Sequence, residues 1–281
     1  MTAPEIPDEP ISPAMDIAAW TEARHAVCRE EFEAMLRSAG FQPGWRVLDA
    51  GCGGGTYLAA LAELVGPTGA IVALDAEPEV VALAEARVAA QPLACPVETR
   101  VGELTALPFP DDAFDALWCA DTAQYLDDEA LAATLAEFRR VVRPGGLIAV
   151  KDADASVLRS SRPSVFVIGR LLRANYEADE GRTRGAWRGP ELRGALQAAG
   201  LEGVWLRTTV VERFAPLDPL TREFMVGAIS IFAGMAMQSA ISAEDRAEWA
   251  RLGQTVGREV ERPDFFYREG NVLAVGRVPE R

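Results

Sequence analysis

The chain has 281 residues and a formal charge of −14 at pH 7. That charge argues against a nucleic-acid substrate, because phosphates demand a basic footprint, and it equally disfavours an anionic membrane surface. That length suits one α/β domain with additions and can bury a large core, and Cys28, Cys52, Cys95 and Cys119 form no C-x-x-C pair, so no zinc site, other metal or disulfide scaffold is expected.

Residues 1–15 are acidic and proline-rich without an apolar run, which predicts a flexible tail and not a signal peptide. Asp16–Ala39 is a helical stretch with Ile17, Trp20, Val27, Met35 and Leu36 at helical spacing. Residues 16–39 are therefore predicted as an N-terminal helical cover. His25, the sole histidine, lies beside that apolar stripe. It is either a general base for an oxygen or nitrogen acceptor or a partly exposed helix residue.

From residue 40 the remainder reads as one domain. Val47–Leu58 is VLDAGCGGGTYL, a buried strand ending in an acid, a glycine loop and the start of a helix: the opening unit of a doubly wound nucleotide-binding sheet. A dinucleotide fingerprint counted from Gly51 needs a third glycine where Thr56 stands, and no Lys-Ser or Lys-Thr pair follows for a phosphate loop. Asp49 at the strand end suits a ligand with an ammonium group and suits a pyrophosphate poorly. S-adenosylmethionine (SAM) carries such a group. A second strand, Ala70–Asp75, also ends in an acid, placed to bind ribose hydroxyls and equally able to cap the helix Glu77–Ala90. Pro96–Val101 and Phe114–Ala120 read as strands three and four. RRVVRPGGLIAV (Arg139–Val150) reads as a helix end, a turn and a fifth buried strand.

VLDAGCGGG, Asp75, GELTALPFPDDAFD and RVVRPGGLIAV, in this order and spacing, resemble the class I SAM-dependent methyltransferases, in particular the branch of the ubiquinone and menaquinone biosynthesis enzymes. The resemblance covers residues 40–152. It implies a doubly wound, Rossmann-like, seven-stranded α/β sheet with strand seven antiparallel. Asp49, Gly51, Cys52 and Gly53 would hold the methionyl end of SAM and Asp75 the ribose. Ala76, Glu103 and Leu104 would frame adenine, with Glu103 in place of the more usual Asp, and the backbone near Ala120 would accept from the amino group. The implied reaction is in-line displacement of methyl, in which the protein mainly positions two partners and excludes water. Where the acceptor needs deprotonation, His25, Asp121 and the carboxylates after strand five are candidates, and Tyr125 could orient the acceptor or simply pack. The rival is a fold that binds SAM without transferring methyl, in a cyclase-like or regulatory role.

Three additions are expected to choose the acceptor. The helical cover, with Trp20, is the first. The second follows strand five, where Asp152 and Asp154 could meet an acceptor or cap the predicted helix Val157–Tyr176. A basic loop, Arg182–Arg188, could meet an acidic substrate or be a solvated surface. The third is a helical insertion at about 215–270, between strand six (Gly203–Phe214) and strand seven (Asn271–Arg277). It contains an uncharged run, Phe224–Ala243, long enough to span a bilayer; because both flanking strands belong to one sheet, a single span could not return the chain. Two readings stay open, a lid whose Phe232 and Met235 form an adaptable apolar wall and a helix that forms a homodimer. The whole suggests a cytoplasmic enzyme acting on a small, fairly apolar molecule.

Overall fold

The computed structural model describes residues 17–181 and 184–280. The predicted acidic tail, Asp16, the Arg182 and Thr183 part of the basic loop, and Arg281 lie outside the described residues. In chain order the elements are α1 (Ile17–Val27), α2 (Arg29–Ser38), β1 (Arg46–Ala50), α3 (Leu58–Val65), β2 (Ala70–Asp75), α4 (Pro78–Ala90), β3 (Val97–Val101), β4 (Phe114–Ala120), α5 (Asp128–Val141), β5 (Val142–Ser160), α6 (Val165–Ala178), α7 (Leu192–Ala198), β6 (Glu202–Phe214), α8 (Pro219–Gln238), α9 (Ala243–Glu259) and β7 (Phe266–Arg277).

Seven strands form one sheet in the order β3-β2-β1-β4-β5-β7-β6. The apolar runs in β1, β2 and β4 are continuous, not alternating, because both faces of a central parallel sheet are covered. Leu48 pairs with Val72 on one side and Leu117 on the other, and all three are buried. β7 is antiparallel. Val278 exchanges hydrogen bonds with Gly145 and Gly146 near the start of β5, while Phe266 at the start of β7 accepts from Ser161 just past the end of β5. The parallel strands open at one edge, so Asp49, Asp75, Asp121 and Asp152 emerge at the side where sheets of this type bind ligands.

The described chain divides into two compact units. One comprises residues 28–157, 181–211 and 269–281 and holds most of the sheet with α2–α5 and α7. The other comprises the residues up to Val27, 158–180 and 212–268, with α1, α6, α8 and α9. In this helical unit, the buried positions Thr221, Phe224, Met225, Ala228, Ile229, Ala233 and Ala236 recur at three and four residues along α8. That spacing is a single stripe, which packs on α9 and α1. Trp20 of α1 lies 4.9 Å from Phe224 between ring centroids, and a side chain at Gly253 of α9 would sit 3.2 Å from Ala233. By length and composition α8 is long and apolar enough to cross a membrane; here it is a packed helix, capped by Asp218, which accepts from Thr221 N–H at 3.0 Å.

Three expectations about elements are corrected. The N-terminal helical stretch is two helices, interrupted at Cys28. β7 starts at Phe266, five residues ahead of the expected Asn271, which shortens the insertion. β5 continues to Ser160, so no helix starts at Val157; the next helix begins at Val165. The reason is the longer β7, which gives residues 153–160 a pairing partner: Gly270 lies against Val157 and the backbone of Asp154. Asp152 and Asp154 are strand residues, not helix caps, and Asp154 instead accepts from the Ser156 N–H and hydroxyl.

Candidate cofactor and active site

The loop after β1 is built around conformations that favour glycine. Gly51, Gly53 and Gly55 have φ of +73°, +53° and +78°, where a side chain is strained. Gly51 and Cys52 both donate to the Leu74 carbonyl, at 2.8 and 3.0 Å, which ties the loop to β2. A side chain on Gly51 would collide with Thr122, whose Cγ2 lies 2.7 Å from the ideal Cβ position. At Gly53 that position is open, with nothing within 4 Å. Gly53 N–H donates to Asp75 Oδ2 at 2.9 Å and Glu77 N–H to Asp75 Oδ1 at 3.2 Å. One carboxylate thus orients the loop and the entry to α4. Burial keeps the Cys52 thiol protonated, and its Sγ donates to the Gly53 carbonyl at 3.4 Å.

Asp49 is 2% exposed, and its Oδ2 has no hydrogen-bond partner. Burial, reinforced by the charge of Asp75, pushes its pKa up to about 8. A carboxylate held in this way lacks a cation. Arg87 Nε donates to the Gly54 carbonyl at 2.7 Å.

A second group gathers where β4 ends beside the middle of β5. The register sets Ala120 beside Lys151. Asp121 follows at φ +54°, and its N–H donates to the Lys151 carbonyl at 2.8 Å. The Lys151 side chain is fully buried; its Nζ donates to both Asp121 carboxylate oxygens, at 2.8 and 2.6 Å, and stands 3.6 Å from the centre of the Phe32 ring. Thr122 turns back, donating to Ala120 O at 2.9 Å. Asp152 is fully buried; Oδ1 accepts from Ala153 N–H at 2.9 Å and Oδ2 has no hydrogen-bond partner. Tyr125 stands on the short helical turn Ala123–Tyr125 and is 60% exposed.

Of the residues singled out in the sequence, the structure assembles Asp49, Gly51, Cys52, Gly53, Asp75 and Ala76 around the first two strand ends. Ala120 ends the fourth strand, Asp121 and Tyr125 follow it, and Asp152 lies within the fifth. Leu104 is buried and Glu103 exposed in the turn after β3. Trp20, His25, Phe232 and Met235 belong to the helical unit. There His25 is buried, Phe232 lies 6.3 Å from Trp249 between ring centroids, and Met235 Sδ accepts from Asn175 Nδ2 at 2.7 Å. A cavity of about 530 Å³ between α5 and α7, lined by Leu131, Ala132, Arg188 and Ala195, contains none of these residues. Sequence reasoning missed Thr122 and set Lys151 aside; the signal for both was their place just after β4 and just after the expected end of strand five at Val150.

The donor set discriminates between ligands. Bare, buried Asp49 fits a cationic amino-acid end and suits a pyrophosphate poorly, and the Asp75 carboxylate can accept from hydroxyls. These residues fit SAM.

A family model described as a methyltransferase domain matches residues 47–146. An uncharacterised 37.1 kDa protein in transposon TN4556 of Streptomyces fradiae is 35% identical over 162 residues, which cover 58% of this chain and 44% of that protein. The demethylmenaquinone methyltransferase of Geobacillus kaustophilus is 31% identical over 162 residues, 55% of this chain and 67% of that enzyme. The chain therefore spans less than half the length of the first relative and about two thirds of the second. A SAM-dependent methyltransferase structure from Methanosarcina mazei shares the fold, with a TM-score of 0.55 at 15% identity over 88% of this chain and 98% of that one. On the match to the Geobacillus enzyme and the motifs that form this site, the chain belongs to the class I SAM-dependent methyltransferases, on the branch that contains the demethylmenaquinone methyltransferases.

Proposed function

We propose that this protein transfers a methyl group from SAM to a small, fairly apolar acceptor with a quinone-type ring. The observation that carries the reading is Asp49, a buried carboxylate with one bare oxygen beside an open glycine loop, which lacks the cation that SAM provides. SAM supplies an activated methyl and a thioether leaving group. The chain's own residues supply position. Asp49 holds the cationic end, and Asp75, fixed by Gly53 and Glu77, accepts from hydroxyls. Thr122 packs against Gly51 and so fixes the loop. No catalytic triad is required, because holding two partners in line supplies much of the acceleration.

The acceptor class rests on the branch of the family and on the insertion. We assign acceptor choice to α8 and α9 from their place in the chain, between β6 and β7, and from the apolar Phe232, Met235 and Met237 that α8 contributes; Met235 and Met237 are both 38% exposed. The test is formation of S-adenosylhomocysteine from SAM with a panel of hydroxynaphthoquinols, simple phenols and carboxylic acids. Turnover with the ring compounds is expected. Tight SAM binding with no S-adenosylhomocysteine from any acceptor would overturn the reading and favour a protein that binds SAM without methylating.

A further inference from the structure

Lys151 is the chain's only lysine, and its ammonium is fully buried within β5, beside the end of β4. Desolvating it is costly unless its partners are well placed. They are: both oxygens of Asp121 and the face of Phe32 surround it. Asp121 is held in a left-handed conformation that costs free energy outside glycine, and the site retains it. An ion pair needed only to pin the end of β4 to β5 would not require a second buried acid next to it. Yet Asp152 directly follows Lys151, fully buried, with one oxygen unpartnered.

We propose that Asp152 is the proton acceptor for an acceptor molecule bearing an ionisable O–H, and that the Lys151–Asp121 ion pair is the positioning device that keeps Asp152 ready for that proton. The inference deepens the methyl-transfer reading and rests on it. Asp121 is fully engaged with Lys151, so of the two acids Asp152 has the free oxygen. In the step, the acceptor O–H bond breaks and its proton passes to Asp152 Oδ2. The electron pair left on the acceptor forms the new bond to methyl, and sulfur retains the pair of the broken S–CH₃ bond. The proton then leaves Asp152 to solvent.

The electrostatics agree. Burial and then the charge of Asp121 push Asp152 up to about 7, opposed by the Ala153 and Gln124 N–H groups and by Lys151. The Cys119 thiol, held protonated by burial, senses both Asp152 and Asp49. An acid poised there exchanges protons at neutral pH.

Two measurements test this without turnover, so a failure of methyl transfer is read separately. The first is calorimetric binding of 1-naphthol to the protein with S-adenosylhomocysteine bound, from about pH 5 to about pH 9. In the wild type, affinity should rise with pH through neutrality as Asp152 becomes a carboxylate. D152N should lose that rise. D121N should move its midpoint down by about one pH unit, and D121N/K151M should move it less, since removing Lys151 restores part of the difficulty of ionising Asp152. The second is the melting temperature of the ligand-free protein. The folded state binds a proton at Asp152 more tightly than the unfolded chain does, so stability falls as pH rises from about 4 to about 7. D152N should therefore gain on the wild type across that window. A purely structural ion pair predicts lower melting temperatures for D121N and the double variant with the naphthol midpoint unmoved. That result overturns the proposal, as does a rise retained in D152N, or failure to bind naphthol combined with no pH-dependent gain in D152N.

Discussion

The glycine loop and the α8–α9 pair depend on residue identity in opposite ways. In the loop almost every position is determined by backbone: positive φ at Gly51, Gly53 and Gly55, two N–H groups on one carbonyl, and Thr122 where a side chain would stand. In α8 the requirement is only an apolar stripe at helical spacing, which many residues satisfy. A site that approaches its ligand through backbone leaves a motif; a surface that selects by shape leaves a composition. Substitutions should therefore act on the cofactor at the loop and on the acceptor at the helices.

The largest effect is expected at Asp49. Asp49→Asn keeps the shape and removes the charge that would face the cofactor cation, so SAM affinity should fall about a hundredfold or more. The ligand-free protein should move the other way. Asp49 is raised by burial to about 8, so its stabilising protonated form is fully present below about pH 4 and is lost as pH rises through about 8. D49N should then melt above the wild type at pH 8, with a gap that closes towards pH 4. For the same reason, SAM binding near pH 7 should release about one proton from the wild type and none from D49N. Calorimetry in two buffers of different ionisation enthalpy reads this directly, and equal release from both proteins would break the assignment.

Next in size is the contrast between two glycines. Gly51→Ala meets both left-handed strain and Thr122, which should cost a few kcal/mol and most of the cofactor affinity. Gly53→Ala meets open space and should cost only about 1 kcal/mol. Equal losses in titrations of the two variants would show that φ matters there and Thr122 does not.

What the sequence made legible follows the same division. β2 and β4 have the expected bounds, Ala70–Asp75 and Phe114–Ala120, because a parallel strand buried on both faces leaves an unbroken apolar run. The continuation of β5 through DADASVLRS was overlooked: Asp152–Val157 alternates polar and apolar as a strand does, but its Asp and Ala residues favour strands poorly, and β7 lies beside them in the sheet. The break at Cys28 had no glycine or proline to announce it. Lys151 was conspicuous only for rarity. Its partner Asp121 is 30 positions away, and the two meet solely through the β4–β5 register. Asp49 could be assigned a cationic ligand from sequence, but its bare oxygen depends on burial that only packing creates.

In the helical unit smaller and differently distributed effects are expected. Replacing both Phe232 and Met235 with Ala should weaken acceptor binding about tenfold through lost apolar contact while leaving SAM titrations unchanged. Unchanged steady-state kinetics would remove α8 from acceptor choice. The smallest effect is at the helix start. Asp218→Ala deletes the acceptor for the Thr221 N–H and hydroxyl, which should cost about 1 kcal/mol of stability, as for other N-caps. If α8 acts only through the surface it presents, D218A should lower the melting temperature yet change acceptor KM and SAM affinity less than about twofold at temperatures where the protein stays folded. A KM that rises in D218A as much as in the Phe232/Met235 double variant would mean that α8 selects by being held in place. Its first turn would then need the residue-level precision otherwise confined to the glycine loop.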